Sequence, residues 1–536
     1  MGWWRDAWGH PHIRALGLGL FLSFLATLSL AVAASVYAYQ SGGAPLVAYF
    51  GAASTLPGVV LTPLLMGAAS RGRAEVVLRR TTLVRVGLVG GGAAAELAGL
   101  SPVLVVSLLA LSSCLGATFR ATQALLLPWL ARTPAQLAAA NVAATVSENA
   151  AALTGPALAG LVLLVADPVA ALLVAAGVLV LTVVVLTRVD APEQVSVTKT
   201  GADRRRALSA TRSVLRLGPT GGVVALVFAQ TFTRGALGVL LVLLALDTLG
   251  LQNSSVGWLN AAIGLGGLAG AAVGFLMVRV ARLARFFVVG VLLWGLGTAA
   301  LAGAPGLAIA LLALAFVGVG NALEDSGVFT LVPRRLGPRE AAAGLGALEV
   351  VAVVGIAAGA LLAPVLAEAL EVRGAIAGIG GVLVALTLAY GTGLARLDRD
   401  ESGPSPDLEL VRGLPAFSVL PVVVLEELAG ALTEEHYPSG ATVVAEGAPG
   451  DRFQVVREGH AAVHVRGVER RVLGPGDGFG EIALLRDVPR TATVTALSDL
   501  TTLALERSDF LGALATTPSS RAQADAGAEE KLGGDP

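Results

Sequence analysis

One stretch near the end of the chain, Gly476–Val494, contains the residue types that bind a phosphate group. Gly480 lets a ligand approach the backbone without meeting a side chain. The residues that follow, Glu481–Leu485, predict one short helical turn whose free N–H groups attract an anion. Arg490 can hold two phosphate oxygens at once, and Thr491 adds a hydroxyl donor. The stretch therefore predicts a phosphate site.

Glu481 is the unusual member of this stretch, because a carboxylate repels a phosphate. A carboxylate can accept a hydrogen bond from a sugar hydroxyl. Its presence beside the phosphate-binding residues therefore predicts a ligand that carries both groups.

A second set of chemically active residues lies inside long apolar runs. A charged side chain at mid-depth in a bilayer costs about 3 kcal/mol or more, so each such residue is a functional candidate. The set consists of Arg120, Glu148, Arg234, Glu324, Asp325 and Glu349. The alternative for each residue is a structural ion pair between helices.

The positions of these residues suggest roles. When Pro128 is aligned with Pro333, Arg120 and Asp325 become counterparts in two similar segments. We therefore expect Arg120 to pair with Asp325, or with the neighbouring Glu324. This pair would close the membrane region on its cytoplasmic side.

Three further members of the set have different expected roles. Glu148 and Glu349 lie near the middle of their apolar runs, where a carboxyl group can pick up and release a proton. Arg234 can hold an anionic substrate or neutralise one of these acids. Together they predict proton coupling.

The elements that position these charges are long apolar segments. The chain has 536 residues, of which 55% are hydrophobic and 14% are charged. Its net charge of −1 gives no reason to expect nucleic acid as a partner. A helix of about 20 apolar residues crosses a bilayer. The predicted spans are 13–39, 44–68, 82–100, 102–127, 138–165, 168–187, 221–247, 254–278, 285–304, 306–331, 341–367 and 374–395.

Basic residues alternate between the two sides of this arrangement. The connections on one side, including the central loop 188–220, carry nearly all of the Lys and Arg, with Arg373 as the exception. Positively charged loops stay in the cytoplasm. The sequence therefore predicts a multi-pass protein of the cell membrane with both termini in the cytoplasm.

An internal repeat links the two sets of six spans. Residues 125–146 and 330–351 both contain a Pro at the helix exit, a basic turn, a second Pro and an Ala-rich run. With these features, residues 1–397 resemble the major facilitator superfamily, and within it the exporters of drugs and siderophores. The resemblance implies a secondary transporter whose bilayer-embedded cavity takes an unknown small molecule and is coupled to protons.

Short motifs add to this resemblance. Gly155-Pro-Ala-Leu-Ala-Gly160 is similar to an antiporter signature, and Arg120-Ala-Thr-Gln123 is similar to the Arg-x-x-Gln of drug–proton antiporters. Residues 69–73 depart from the family, because its usual Asp in this loop is missing.

The composition changes after the last span. Residues 397–406 are charged and contain Pro and Gly, as is typical of a linker. From Glu434 onward, short alternating segments are separated by Gly and Asp turns, which predicts a small β-roll. The single Cys114 lies in an apolar run and is expected to be a buried small residue.

Residues 407–515 resemble a cyclic nucleotide-binding domain. The resemblance lies in Phe479-Gly-Glu-Ile-Ala-Leu484 and Pro489-Arg-Thr-Ala-Thr-Val494, with similar turns upstream. It implies cAMP as the regulatory ligand, with cGMP as the alternative, and no metal. The residues that it assigns to the nucleotide pocket are Phe479, Gly480, Glu481, Ile482, Ala483, Arg490 and Thr491.

In that family, the amides of Gly480 and Ala483 and the Arg490 side chain hold the cyclic phosphate. Thr491 assists them, and Glu481 binds the ribose 2′-hydroxyl. The family closes the pocket with a long helix after the roll, whereas here the segment Asp509–Leu514 is short and the following tail is polar.

The predicted fold is an α-helical membrane protein with twelve transmembrane helices in two six-helix repeats, followed by a soluble β-roll with short flanking helices. The predicted domains are a first bundle, a cytoplasmic loop, a second bundle, a linker, the nucleotide domain and a polar tail. Their boundaries are 1–187, 188–220, 221–396, 397–406, 407–515 and 516–536.

We expect no enzymatic activity, and the residues leave three alternatives for the function. The leading one is a proton-coupled exporter that cyclic nucleotide regulates. The second is a receptor that no longer transports, and the third is a constitutive transporter with a vestigial nucleotide domain.

Overall fold

The computed structural model describes residues 11–69, 73–130, 134–189, 220–277, 283–336, 338–400, 406–418, 420, 422–515 and 523–526. The central loop, much of the linker and most of the polar tail that the sequence predicts lie outside these residues. The chain divides into two compact units, Met1–Asp400 and Glu401–Pro536.

The first unit is built from apolar helices. They are α1 (Pro11–Ala53), α2 (Gly58–Ala69), α3 (Ala74–Leu97), α4 (Pro102–Leu130), α5 (Pro134–Leu163), α6 (Pro168–Leu186), α7 (Thr220–Leu243), α8 (Ser254–Met277), α9 (Leu283–Ala302), α10 (Leu307–Leu336) and α11 (Pro338–Asp400). A π-helical turn, Leu244–Thr248, continues α7.

Two of these helices are interrupted. The backbone of α1 leaves the helical conformation at Gly42 and Gly43, where Gly43 has a φ of 64°. The backbone of α11 leaves it at Glu371, which has a φ of 61°. Each break falls between two predicted spans. Helix α1 thus contains the first predicted span and the start of the second, and α11 contains the last two.

Among the described residues, nine segments are long and apolar enough to cross a membrane. Two of them, Pro11–Ala69 and Gly344–Leu394, are 59 and 51 residues long. The helical membrane region that the sequence predicts is therefore present.

Two helices extend beyond the predicted spans. The third span was expected to begin at residue 82, but α3 begins at Ala74, and Arg79 and Arg80 lie in the helix rather than in a loop. An ion pair of 2.5 Å joins Arg73 to Glu75 in the first turn of this helix. At the other end of the unit, α11 extends to Asp400, into the predicted linker.

Helices of the two predicted halves approach each other with little side chain between them. A Cβ added to Gly257 of α8 would lie 2.5 Å from the Cα of Gly160 on α5. A Cβ added to Gly155 would lie 2.9 Å from the Leu25 carbonyl oxygen. The glycines of the antiporter-like motif thus allow α5 to pack closely against both α8 and α1.

The second unit begins with helices α12 (Pro406–Gly413) and α13 (Val422–Ala431) and continues as a β-roll. Its other elements are β1 (Thr433–Tyr437), β2 (Thr442–Val444), β3 (Arg452–Glu458), β4 (Ala461–Val465), β5 (Val468–Leu473), β6 (Gly478–Phe479), α14 (Glu481–Arg486), β7 (Thr493–Ala496), β8 (Leu500–Glu506) and α15 (Arg507–Ala515).

The strands form two antiparallel four-stranded sheets. Their orders are β1-β8-β3-β6 and β2-β7-β4-β5. Apolar residues of both sheets, including Val456, Leu473 and Val494, form a core between them. A second core joins the helices to the roll, where the ring of Phe453 stacks on that of Phe510 at 4.8 Å. The roll thereby fixes the segment that connects β6 to β7.

Candidate functional site

Gly480 is the N-cap of α14 and has a φ of 92°, in the left-handed region. A Cβ at this position would lie 3.0 Å from the Arg452 carbonyl oxygen and would collide with the Arg490 guanidinium. Because only glycine combines this φ with this close approach, the sequence places the N–H groups of α14 directly beside Arg490.

Arg490 lies at the centre of this arrangement and is only 6% exposed. Its Nη1 donates to the Gly480 carbonyl oxygen at 3.2 Å, and its Nη2 donates to the Arg452 carbonyl oxygen at 2.7 Å. The Asp451 carboxylate lies 3.8 Å from Nη2. The guanidinium is thus oriented by neutral carbonyl groups and by one distant acid.

Burial lowers the pKa of the Arg490 guanidinium, whereas the negative charges of Asp451 and Glu481 act in the opposite direction. A buried cation that has lost part of its hydration and is held mainly by neutral carbonyl groups attracts a further anion. This electrostatic arrangement fits a bound phosphate.

The other predicted pocket residues take different positions. Glu481 and Ala483 are buried beside Arg490 on α14, Ile482 is half-buried, and Thr491 is exposed. Phe479, however, packs into the core between the two sheets. The structure therefore brings the predicted phosphate-binding and ribose-binding residues together, whereas Phe479 supports the loop from the core.

Two neighbours of Arg490 were not among the predicted pocket residues. They are Asp451, which directly precedes β3, and Arg452, the first residue of β3. The Arg452 side chain forms ion pairs with Glu435 at 2.6 Å and with Glu506 at 2.9 Å. The Gly450-Asp451 turn was recognisable in the sequence as a family feature, but nothing in the sequence indicates that the Arg452 carbonyl accepts from Arg490.

The described helix after the roll is α15, Arg507–Ala515. Helix α15 packs its Phe510 against Phe417 and Phe453. At its start, Arg507 forms an ion pair of 2.6 Å with Asp487, the C-cap of α14. The phosphate-binding turn and the helix after the roll are therefore in direct contact.

With the exception of Glu349, the predicted charges of the membrane unit form one cluster that joins α4, α5, α7 and α10. Arg120 of α4 forms an ion pair with Glu148 of α5, with a distance of 3.3 Å from Nε to Oε1. Asp325 interacts electrostatically with Arg120, Arg234 and Glu148. The expected pairing of Arg120 with Asp325 or Glu324 is thus replaced by a pair with Glu148.

Two other acids of the set differ in environment. Glu324 is 5% exposed, and its Oε2 has no hydrogen-bond partner among the described residues. Glu349 lies on the exposed surface of α11. Asn321, which was not predicted, donates to the Asp325 carboxylate at 3.0 Å. A polar residue one turn before an intramembrane acid was the available signal for Asn321.

Arg85 of α3 is a buried charge that was not among the predicted functional residues. Its Nε donates to the Ser112 carbonyl oxygen at 3.0 Å. Its Nη1 and Nη2 donate to the hydroxyls of Ser23 at 2.8 Å and Thr27 at 2.6 Å. Ser23 and Thr27 are four residues apart in the sequence, and this spacing on one helix face was a usable signal.

Two protein families match this chain. The family model described as "Major Facilitator Superfamily" matches residues 223–433, and the model described as "Cyclic nucleotide-binding domain" matches residues 434–517. The chain therefore joins a major facilitator region to a cyclic nucleotide-binding domain, and the recognition of these two domains in one chain is confirmed.

Curated relatives match the second region. A cAMP-dependent protein kinase regulatory subunit of Aspergillus niger is 40% identical over 99 residues, which cover 18% of this chain and 24% of that protein. A cyclic nucleotide-gated potassium channel of Mesorhizobium japonicum is 38% identical over 110 residues, which cover 20% of this chain and 30% of that protein. This chain thus spans less than a third of the length of either relative.

Among solved structures, the N-terminal domain of a transcriptional regulator from Streptomyces coelicolor A3(2) is 33% identical. The match covers 23% of this chain and 91% of that one, with a TM-score of 0.21.

Proposed function

We propose that this protein is a secondary membrane transporter whose cycle is regulated by a cyclic nucleotide bound to the second unit. The placement of Arg490 carries the proposal. It is a buried guanidinium held by two carbonyl groups, directly beside Gly480 and the first N–H groups of α14. A phosphate can replace these carbonyls as the acceptor of the guanidinium hydrogen bonds. The new bonds join two opposite charges and are therefore stronger.

The ligand that we propose is cAMP, with cGMP as the alternative. Glu481 lies buried at the start of α14, where its carboxylate can accept a hydrogen bond from a ribose hydroxyl. Thr491 is exposed at the edge of the pocket and is available to either nucleotide. The kinase relatives are regulatory subunits of cAMP-dependent protein kinases, which supports the choice of cAMP.

The membrane unit is proposed to cross the bilayer twelve times, as two bundles of six helices. The breaks at Gly43 and Glu371 support this count, because they divide two long apolar segments into two crossings each. The basic connections support cytoplasmic termini and a place in the cell membrane. In this arrangement the nucleotide domain lies in the cytoplasm.

The proposed transport mode is proton-coupled export of a small molecule. The cluster of Arg120, Glu148, Arg234, Glu324 and Asp325 supports it, because acids and bases from four helices share one site. Protonation of one acid would change the charge balance that holds these helices together. Glu349 is retained as a candidate in the same process.

The test uses the full-length protein in everted membrane vesicles. Proton flux is followed by acridine-dye quenching while ethidium serves as the transport probe, with and without cAMP. We expect cAMP to change the flux of the parent protein and not that of Arg490→Ala. Arg412→Ala, an exposed substitution on α12, is the matched control and should respond like the parent.

The other outcomes separate the alternatives. Equal flux with and without cAMP in the parent would indicate a constitutive transporter with a vestigial domain. Binding of a fluorescent cAMP analogue without flux of any probe would favour a receptor. Either result contradicts the proposal.

A further inference from the structure

The last turn of α1 before its break contains two tyrosines that both donate to carboxylates. The hydroxyl of Tyr37 donates to Glu96, and the hydroxyl of Tyr39 donates to Asp247. Tyr37 is 3% exposed, whereas Tyr39 is half-buried. One turn of α1 thus makes two hydrogen bonds of the same kind, each from a phenol to a carboxylate.

The two bonds run to different parts of the molecule. Residues two apart on a helix point about 200° away from each other. Tyr37 reaches Glu96 near the end of α3, in the same half of the unit. Tyr39 reaches Asp247 in the π-helical turn after α7, in the other half. The Tyr39 bond therefore crosses between the halves, and the Tyr37 bond anchors the turn within one half.

The π-helical turn fixes the position of Asp247. The Leu249 N–H donates to the Leu244 carbonyl oxygen at 2.9 Å, and the Leu251 N–H donates to the Ala245 carbonyl oxygen at 2.8 Å. Such widened turns are rare in proteins, and those that occur often lie at functional sites.

The surrounding contacts show that the halves are in close contact at this end of the unit. The short connection after the π-helical turn leads to Ser254, the first residue of α8. A Cβ added to Gly160 of α5 would lie only 3.1 Å from the Ser254 carbonyl oxygen. Ser254 itself is 4% exposed. Separation of the halves here requires both the α5–α8 contact and the Tyr39 bond to open.

We propose that Tyr39 and Asp247 form a latch that holds this end of the transporter closed. The latch rests on the proposed transport cycle, in which the two halves separate at alternate ends. It is a hydrogen bond from a neutral phenol to a carboxylate, so its loss weakens the closed form without removing the packing. The expected shift of the closed–open equilibrium is about tenfold.

The test measures how readily a thiol at the closed end reacts. Cys114 is the only cysteine and is replaced by Ala; Ser254→Cys then supplies a single reporter that is buried in the closed form. The purified full-length protein in detergent is treated with a charged maleimide, without nucleotide or transport probe. We expect Tyr39→Phe to raise the labelling rate about tenfold, because the ring is kept and only the bond is lost.

Two further variants make the test specific. Asp247→Asn keeps a neutral acceptor and should raise the rate less than Tyr39→Phe. Tyr37→Phe removes the equivalent bond within one half and should leave the rate at the parent value. All variants are compared at equal recovery of folded protein by size-exclusion chromatography.

Labelling of Tyr39→Phe at the parent rate would overturn the latch, and so would an equal rise in Tyr37→Phe. Failure of the proposed function is a separate observation. If cAMP still alters proton flux in the parent while labelling is unchanged in Tyr39→Phe, only the latch is wrong. If Tyr39→Phe labels faster while cAMP has no effect on flux, only the nucleotide regulation is wrong.

Discussion

Arg85 in the membrane unit and Arg490 in the second unit are both buried, at 1% and 6% exposure, but their partners differ. Arg85 donates to two hydroxyls of α1 and to one carbonyl of α4. Arg490 donates to the carbonyl groups of Gly480 and Arg452, which line the same predicted pocket as Arg490.

The difference distinguishes a cation that joins helices from a cation that we propose to bind a ligand. The partners of Arg85 belong to neighbouring helices, so the guanidinium joins three helices and has no exchangeable contact. The partners of Arg490 are carbonyls that a phosphate can replace, since a charged acceptor forms the stronger bond. Substitutions at the two sites should therefore affect different properties.

The largest effect is expected for Arg85→Ala. It leaves a cavity and three polar groups without a donor, at a cost of about 4 kcal/mol in the free energy of unfolding of the membrane unit. Thermal unfolding of the detergent-purified protein would show it. The exposed Arg188→Ala should be neutral. A similarly stable Arg85→Ala protein would contradict the structural role.

Arg490→Ala should have the next largest effect, and on ligand affinity. Loss of two charge-assisted hydrogen bonds to phosphate should lower the affinity for cAMP about 100-fold. Fluorescence titration with a labelled cAMP analogue measures it, with Arg412→Ala as the control. If folded Arg85→Ala protein lost more affinity for cAMP than Arg490→Ala protein does, the roles given to the two arginines would be reversed.

The ion pair of Arg120 with Glu148 extends the comparison to an arginine whose partner is an acid. Arg120→Glu should reduce proton flux about tenfold, because it places an acid beside Glu148. The double variant Arg120→Glu with Glu148→Arg should recover flux in everted vesicles. Recovery by Asp325→Arg instead would favour the pairing that the sequence predicts.

The smallest effect is expected at the surface contact between α14 and α15. The side chains of Asp487 and Arg507 are 84% and 39% exposed, so their ion pair contributes under about 1 kcal/mol. Asp487→Asn should leave cAMP affinity within about threefold of the parent in the same titration. A larger change would make this contact part of the nucleotide response.

The sequence predicts the second unit well because its functional groups are close together in the chain. Gly480, Glu481 and Arg490 lie within one short stretch, and the local turn brings them together. The packing of Phe479 into the core was not predictable, because a motif position does not tell which side of a strand faces the core. In a strand that direction alternates with every residue.

The membrane unit was predictable as helices, but its pairings were not. Apolar length identifies a crossing, whereas the partner of Arg120 depends on the rotation and tilt of α4, α5 and α10. The repeat alignment therefore suggested Asp325, and the structure pairs Arg120 with Glu148. Helix α3 begins before the predicted third span, because a helix continues into polar residues that hydropathy excludes.

The contact of Gly160 with Gly257 has a mechanical consequence. Two helices that touch through backbone alone have no interlocking side chains at that point, so no rotamer has to change before they part. The speed of opening at this seam is then set by the polar bonds around it and by the lipid, and a single added methyl group would hold the helices apart.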